Sequence, residues 1–127
     1  MPDGLRAWSP TERRLIALIT RCIDPVWGEC YSTAQRAALV AAELGSESHR
    51  LAYCEGFASL PSLPAPFAHA WCLLNGQVWD PTPWFRGKTE YYGSEIPTNL
   101  LQRAVARRRA WGPVMLSPLP ETVSIGA

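Results

Sequence analysis

A thiol, an imidazole and a carboxylate set the chemistry that this chain of 127 residues offers. Cys30 follows Gly28-Glu29 and opens an alanine-rich stretch of helical pattern, which puts its sulfur at a helix N-terminus. Exposed amide hydrogens there favour thiolate, and an adjacent protonated imidazole favours it further. His69 and Asp80 flank Asn75-Gly76, the strongest short signal for a two-residue hairpin turn. Counting outward from that turn pairs Leu74 with Gln77, Trp71 with Asp80 and His69 with Thr82. His69 and Asp80 then share a face, on a diagonal of about 7–8 Å between alpha carbons that a carboxylate-to-ring hydrogen bond can span. A carboxylate so placed fixes the imidazole's tautomer and stabilises its charged form, the orienting role of the third member of a nucleophile, base and carboxylate triad.

Singly, each residue has an ordinary explanation: an inert cysteine, a hairpin histidine, an aspartate in turn chemistry. Together, in a chain with only two histidines, they point to catalysis. The other cysteines read as packing residues, Cys22 on the buried stripe of a first helix and Cys54 and Cys72 within strands, Cys72 facing away from His69.

The elements that must position this set are legible in the same way. Ser9-Pro10-Thr11-Glu12 forms a capping-box start for a helix from about Pro10 to Cys22, with Leu15, Ile16, Leu18, Ile19 and Cys22 as its apolar stripe and Asp24-Pro25 as its stop. A second helix begins around Cys30 to Thr33 and ends at Gly45, and its many alanines imply close packing in the centre of the domain. Residues 50–58 alternate with period two, so Leu51, Tyr53, Glu55 and Phe57 share one face of a strand. A proline-rich loop, the Asn75-Gly76 hairpin, an irregular stretch from Trp84 to Pro97 and a helix from about Thr98 to Gly112 complete the chain. The expectation is one domain over residues 1–127, with a core at about 9–112 and a loosely ordered tail over 113–127. Its class is α+β, with N-terminal helices packed on a small antiparallel sheet.

Glu55 falls on the large-residue face of its strand, where a buried carboxylate requires a partner; it binds substrate, orders the His69 hairpin or pairs with an arginine. Trp27, Trp71, Trp79 and Trp84 either wall a groove or fill the core. Gln35 and Tyr31 are the candidates for a second oxyanion donor beside the Cys30 amide. A metal site built from His49, Cys54, His69 and Cys72 matches no closed zinc spacing, so neither metal nor other cofactor is expected.

Composition narrows the classes. Twelve Lys and Arg against eleven Asp and Glu leave a net charge of +1, which supplies no concentrated basic field for nucleic acid. The arginines from Arg103 to Arg109 read first as a solvated helical face. No apolar run approaches the roughly 18 residues that cross a bilayer, and Met1-Pro2-Asp3-Gly4 lacks the layout of a secretory signal, so a cytoplasmic protein with reduced thiols is expected. Twelve prolines and six tryptophans point to a loop-rich fold with aromatic-walled surfaces.

Gly28-Glu29-Cys30-Tyr31 at a helix start, His69-Ala70-Trp71 and Asp80-Pro81-Thr82, taken in order, resemble the motifs of the transglutaminase-like branch of the papain-like cysteine enzymes. Within that branch the sequence is similar to small bacterial and phage proteins that carry a strand like Tyr53-Cys54-Glu55-Gly56 before the histidine and an element like Tyr92-Gly93 after it. The likeness spans about Trp27 to Pro97. It implies a minimal papain-like fold, a catalytic triad of Cys30, His69 and Asp80, and acyl transfer through a thioester on Cys30. Glu55, Trp71, Tyr31 and Trp27 are the expected substrate-binding residues, and a peptide or protein is the expected substrate. Hydrolysis of an amide or isopeptide bond is the leading activity; transamidation by the same triad is the alternative, and a catalytically silent module that binds a host protein is another. The hairpin is shorter than the family's pattern, and the extra domains that give large transglutaminases their substrate choice are not expected, so calcium regulation is not implied.

Overall fold

The computed structural model describes residues 7–24, 29–45, 49–82 and 89–114. Among the described residues three helices, α1 (Pro10–Ile23), α2 (Cys30–Leu44) and α3 (Thr98–Arg108), accompany four strands, β1 (Leu51–Ser59), β2 (Phe67–Leu74), β3 (Gln77–Trp79) and β4 (Glu90–Ile96). The strands form one antiparallel sheet in the order β3-β2-β1-β4. The protein is therefore of the α+β class. Among the described residues no helix is long and apolar enough to cross a membrane.

Helix α1 starts where its capping box places it. Ser9 Oγ accepts from the Glu12 amide (3.1 Å), and Glu12 Oε1 accepts from the Ser9 amide (2.7 Å). The second oxygen of Glu12 accepts from Asn75 Nδ2 (2.8 Å), while Asn75 Oδ1 accepts from the Arg50 amide (2.7 Å). One turn residue thus ties the β2–β3 hairpin to α1 and to the start of β1. That pairing explains why Glu12, a carboxylate, is only 3% exposed. Asn75 and Gly76 both have positive φ, 51° and 84°, the backbone that a type I′ hairpin turn requires.

The buried edge of α1 is Glu12, Ile19 and Ile23, with Leu15 and Ile16 packed beside it. Cys22 is exposed, which corrects its assignment to the buried stripe. The stripe runs through Ile19 and Ile23, four residues apart, and Cys22 lies about 100° around the helix from Ile23.

Small side chains let α2 approach the sheet closely, as the alanine content predicts. Ala34, Ala37 and Ala38 are buried, and the Cys72 thiol lies 3.5 Å from the Ala34 carbonyl oxygen. Tyr53 faces Cys72 on one side and Ile96 on the other, and Cys72 faces Trp79, so one row crosses all four strands. Every member of that row belongs to the core, together with Leu74, Leu101 and the α1 isoleucines. Burying each large side chain contributes roughly 1.5–3 kcal/mol before the entropy cost of ordering it.

Two boundaries differ from the sequence reading. The stretch read as irregular contains β4, which escapes pattern analysis because it is an edge strand: most of its side chains are exposed, and Gly93 interrupts it. Helix α3 stops at Arg108 with Arg109 in the left-handed region, four residues short of the expected end. The chain turns there so that Gly112 reaches Gln35 on α2. Val114 is also held, its amide donating to Glu55 (2.6 Å), so the tail is anchored through residue 114. Residues 115–127 lie outside the described residues.

Candidate active site

Side chains on one strand alternate between faces, so the core position of Cys72 sends His69 and Trp71 to the other side of β2. His69 is fully buried there. Its Nε2 donates to Asp80 Oδ2 (2.7 Å), the contact that counting outward from Asn75-Gly76 anticipates. A carboxylate only accepts, so this bond fixes the proton on Nε2. Asp80 directly follows β3, and its Oδ1 accepts from the Thr82 amide (3.0 Å), which locks the carboxylate as a turn acceptor.

The ring is packed as well as hydrogen-bonded. Trp71 stacks on it with centroids 6.1 Å apart and planes 18° from parallel, and Phe67 meets it edge-on at 5.7 Å. Trp71 is 3% exposed, so within the fold it serves as a wall against His69.

Cys30 is the first residue of α2, and Glu29 before it makes no side-chain cap. The amides of that first turn have no acceptor within the helix. The Cys30 thiol, half-buried, also acts on the imidazole. Burial pushes His69 toward its neutral form, but the hydrogen bond with Asp80, the nearness of the Cys30 thiol and the charges of both outweigh burial and raise it above 6.5. The three residues singled out from sequence are therefore brought together around one ring. The other cysteines are not: burial pushes the Cys54 thiol up to about 11 and Cys72 well above its usual value, and Cys22 is exposed on α1.

Tyr31 adjoins this site. Burial first, then the charges of Cys30 and Glu55, push its hydroxyl up to about 12, so it stays a neutral donor. That hydroxyl is buried and has no hydrogen-bond partner among the described residues. Gln35, the other candidate donor, is committed elsewhere: Nε2 donates to Tyr53 Oη (2.9 Å) and the Gly112 carbonyl (2.5 Å), and Oε1 accepts from the Gly112 amide (3.2 Å). Glu55 Oε2 accepts from Tyr53 Oη and from the Val114 amide, both at 2.6 Å, so this carboxylate holds the tail against the α2 and β1 layers. Trp27 and Trp84 lie outside the described residues, and Trp79 belongs to the core. The four metal ligands considered from sequence are not gathered, since among the described residues no group of three or more His, Cys, Asp or Glu could hold a metal ion.

One participant has no sequence signal. Tyr91 on β4 donates to Asp80 Oδ2 (2.9 Å), the oxygen that His69 also uses. Its role depends on a strand that the sequence pattern conceals.

The His69–Asp80 pair makes stability depend on pH with a definite sign. Because the folded imidazole is raised above its unfolded value, the pair's contribution is fully present below about pH 6.5 and is lost as pH rises through the folded value. Asp80→Asn is therefore expected to cost about 3 kcal/mol at pH 6, and less at pH 9. Urea denaturation of both proteins at the two pH values checks this; a gap that is constant or widens with pH contradicts it.

Comparison with family models, with curated proteins and with solved structures finds no match to this chain. The functional reading rests on the site's own chemistry.

Proposed function

We propose that the protein is a thiol-dependent hydrolase of an amide or isopeptide bond, with Cys30 as nucleophile, His69 as general base and acid, and Asp80 as the group that orients His69. The observation that carries this reading is the buried imidazole held by Asp80 at Nε2 while the Cys30 thiol acts on the same ring. The finer architecture is read as a minimal papain-like, transglutaminase-like domain, on the motif resemblance, and the setting as cytoplasmic.

In the acylation step His69 takes the thiol proton at Nδ1, the nitrogen that Asp80 does not engage, and sulfur bonds to the carbonyl carbon. The carbonyl electron pair moves to oxygen, where the Cys30 amide at the helix start and the Tyr31 hydroxyl are the donors available to the oxyanion. As the intermediate collapses, the carbon–nitrogen bond breaks and His69 returns the proton to the leaving amine. Water then attacks the thioester, giving its proton to His69, and the released thiol is reprotonated. An amine in place of water gives transamidation through the same steps.

The reading makes a peptide or protein the substrate. Phe57 and Tyr92 are register partners on the Glu55 side of the sheet, 47% and 55% exposed, and offer an apolar surface to such a chain. The chemistry is tested with 4-nitrophenyl acetate. A burst of about one equivalent of nitrophenolate is expected, with the acetyl group on Cys30 by peptide mass spectrometry and no burst from Cys30→Ala. Acetylation spread equally over Cys30 and Cys22 would reject the hydrolase and leave a binding module as the better account.

A further inference from the structure

We propose that Tyr91 is a positioning residue of this site, holding the Asp80 carboxylate and sharing with His69 the oxygen that orients the imidazole. The proposal deepens the triad reading and rests on it for its catalytic meaning, although the geometry is independent of any substrate.

Asp80 is gripped at three points: the Thr82 amide on Oδ1, and His69 Nε2 and Tyr91 Oη together on Oδ2. Its side chain is 7% exposed, so water does not dilute these contacts. Tyr91 comes from β4, and β1 separates β4 from β2. A side chain that crosses a whole strand must bridge about 10 Å between β4 and β2. The path is open because Gly56, the β1 residue opposite His69 and Gly93, carries no side chain. The Tyr91 ring lies along that path, its centroid 5.0 Å from Trp71 and 6.2 Å from His69.

The physical consequence concerns the proton on His69. Among the described residues the titratable groups that bear on the ring are Asp80 after β3, Cys30 on α2 and Tyr91 on β4. Burial and the Asp80 charge hold the Tyr91 hydroxyl in its neutral form, so its proton stays available for donation to Asp80. By donating to Oδ2 it neutralises part of the charge that would otherwise act on the imidazolium. Without it, Asp80 retains the imidazole proton more strongly, and His69 becomes a poorer acid toward the leaving group. Tyr91 therefore tempers the carboxylate as well as orienting it.

Nuclear magnetic resonance titration of ring-labelled histidine tests this, since only His49 and His69 contribute signals. Tyr91→Phe is expected to move the His69 midpoint upward by about half a pH unit or more. Tyr92→Phe, which removes a hydroxyl that donates to the exposed Glu90, serves as control and is expected to leave the midpoint in place. In an Asp80→Asn background the Tyr91→Phe shift is expected to vanish. A midpoint that is unchanged or lower in Tyr91→Phe overturns the proposal. Should that variant fold poorly, the unmodified protein still decides: with ring-labelled tyrosine, the Tyr91 phenol carbon is expected to titrate with the same midpoint as His69, and a signal indifferent to that midpoint overturns the proposal. Cys30 alkylation measured alongside keeps the two readings apart. If Cys30 is no more reactive than Cys22 the hydrolase fails, whereas the histidine midpoints still determine whether Tyr91 governs His69.

Discussion

Replacing His69 with alanine is expected to slow iodoacetamide alkylation of Cys30 at pH 6 by about a hundredfold or more, the lower end of what a positioned base supplies. The chain carries its own reference. Cys22 is exposed on α1, whereas Cys30 is half-buried, so access alone makes Cys22 the faster of the two. Cys54 and Cys72 are buried with thiols held in the protonated form, which removes them from competition. Base assistance from His69 reverses the order of the accessible pair: Cys30 is expected to label ahead of Cys22 at pH 6 in the intact protein, and to fall behind it in His69→Ala. Peptide mass spectrometry after timed labelling reads both rates in one sample. Should Cys30 trail Cys22 in the intact protein, the imidazole does not activate the thiol, and the site is a structural ion pair inside a binding module.

Much of this arrangement was legible because it depends on local rules. The Ser9 capping box, the Asn75-Gly76 turn and the glycine end of α2 each follow from a few neighbouring residues. The hairpin then converts sequence distance into a spatial pair, which is how His69 and Asp80 are found together across eleven residues. Cys30 is legible for the same reason, as the first residue of a helix whose start and packing face are both encoded locally. What escapes is set by contacts between distant elements. Strand β4 has no apolar alternation because it needs none: it is an edge, paired through its backbone to β1 and largely exposed. With β4 hidden, Tyr91 gives no sign of reaching Asp80. Glu55 is similar, since its partners, Tyr53 and the main chain of Val114, include a residue 59 positions away. Gln35 illustrates the reverse error: an amide beside a nucleophile suggests an oxyanion donor, and only the folded chain shows both its ends taken by Gly112 and Tyr53.

The second large effect is expected at the contact between β1 and β4. Gly56 and Gly93 face each other in register, and neither tolerates a side chain. A Cβ on Gly56 would sit 2.0 Å from the Tyr92 carbonyl oxygen and 2.5 Å from the Gly93 alpha carbon; one on Gly93 would sit 2.2 Å from the Glu55 carbonyl oxygen and 2.7 Å from the Trp71 ring. The obstructing atoms at Gly56 are backbone, so no rotamer change relieves the clash, and β4 must move off β1. Gly56→Ala is therefore expected to cost about 3 kcal/mol or more and to lower the melting temperature by about 10 °C or more. Gly112→Ala, where nothing lies within 4 Å of the new Cβ, is expected to change stability by less than about 0.5 kcal/mol. Because β4 carries Tyr91 to Asp80, Gly56→Ala is also expected to disturb the His69 titration, whereas Gly112→Ala is not. Thermal denaturation with histidine resonances recorded on the same samples checks both halves. A stable Gly56→Ala protein with β4 amides still protected from hydrogen exchange would show that β1 and β4 pair more loosely than this register allows. Loss of β4 protection together with a shifted His69 midpoint would tie the close glycine contact directly to the proton that the proposed chemistry uses.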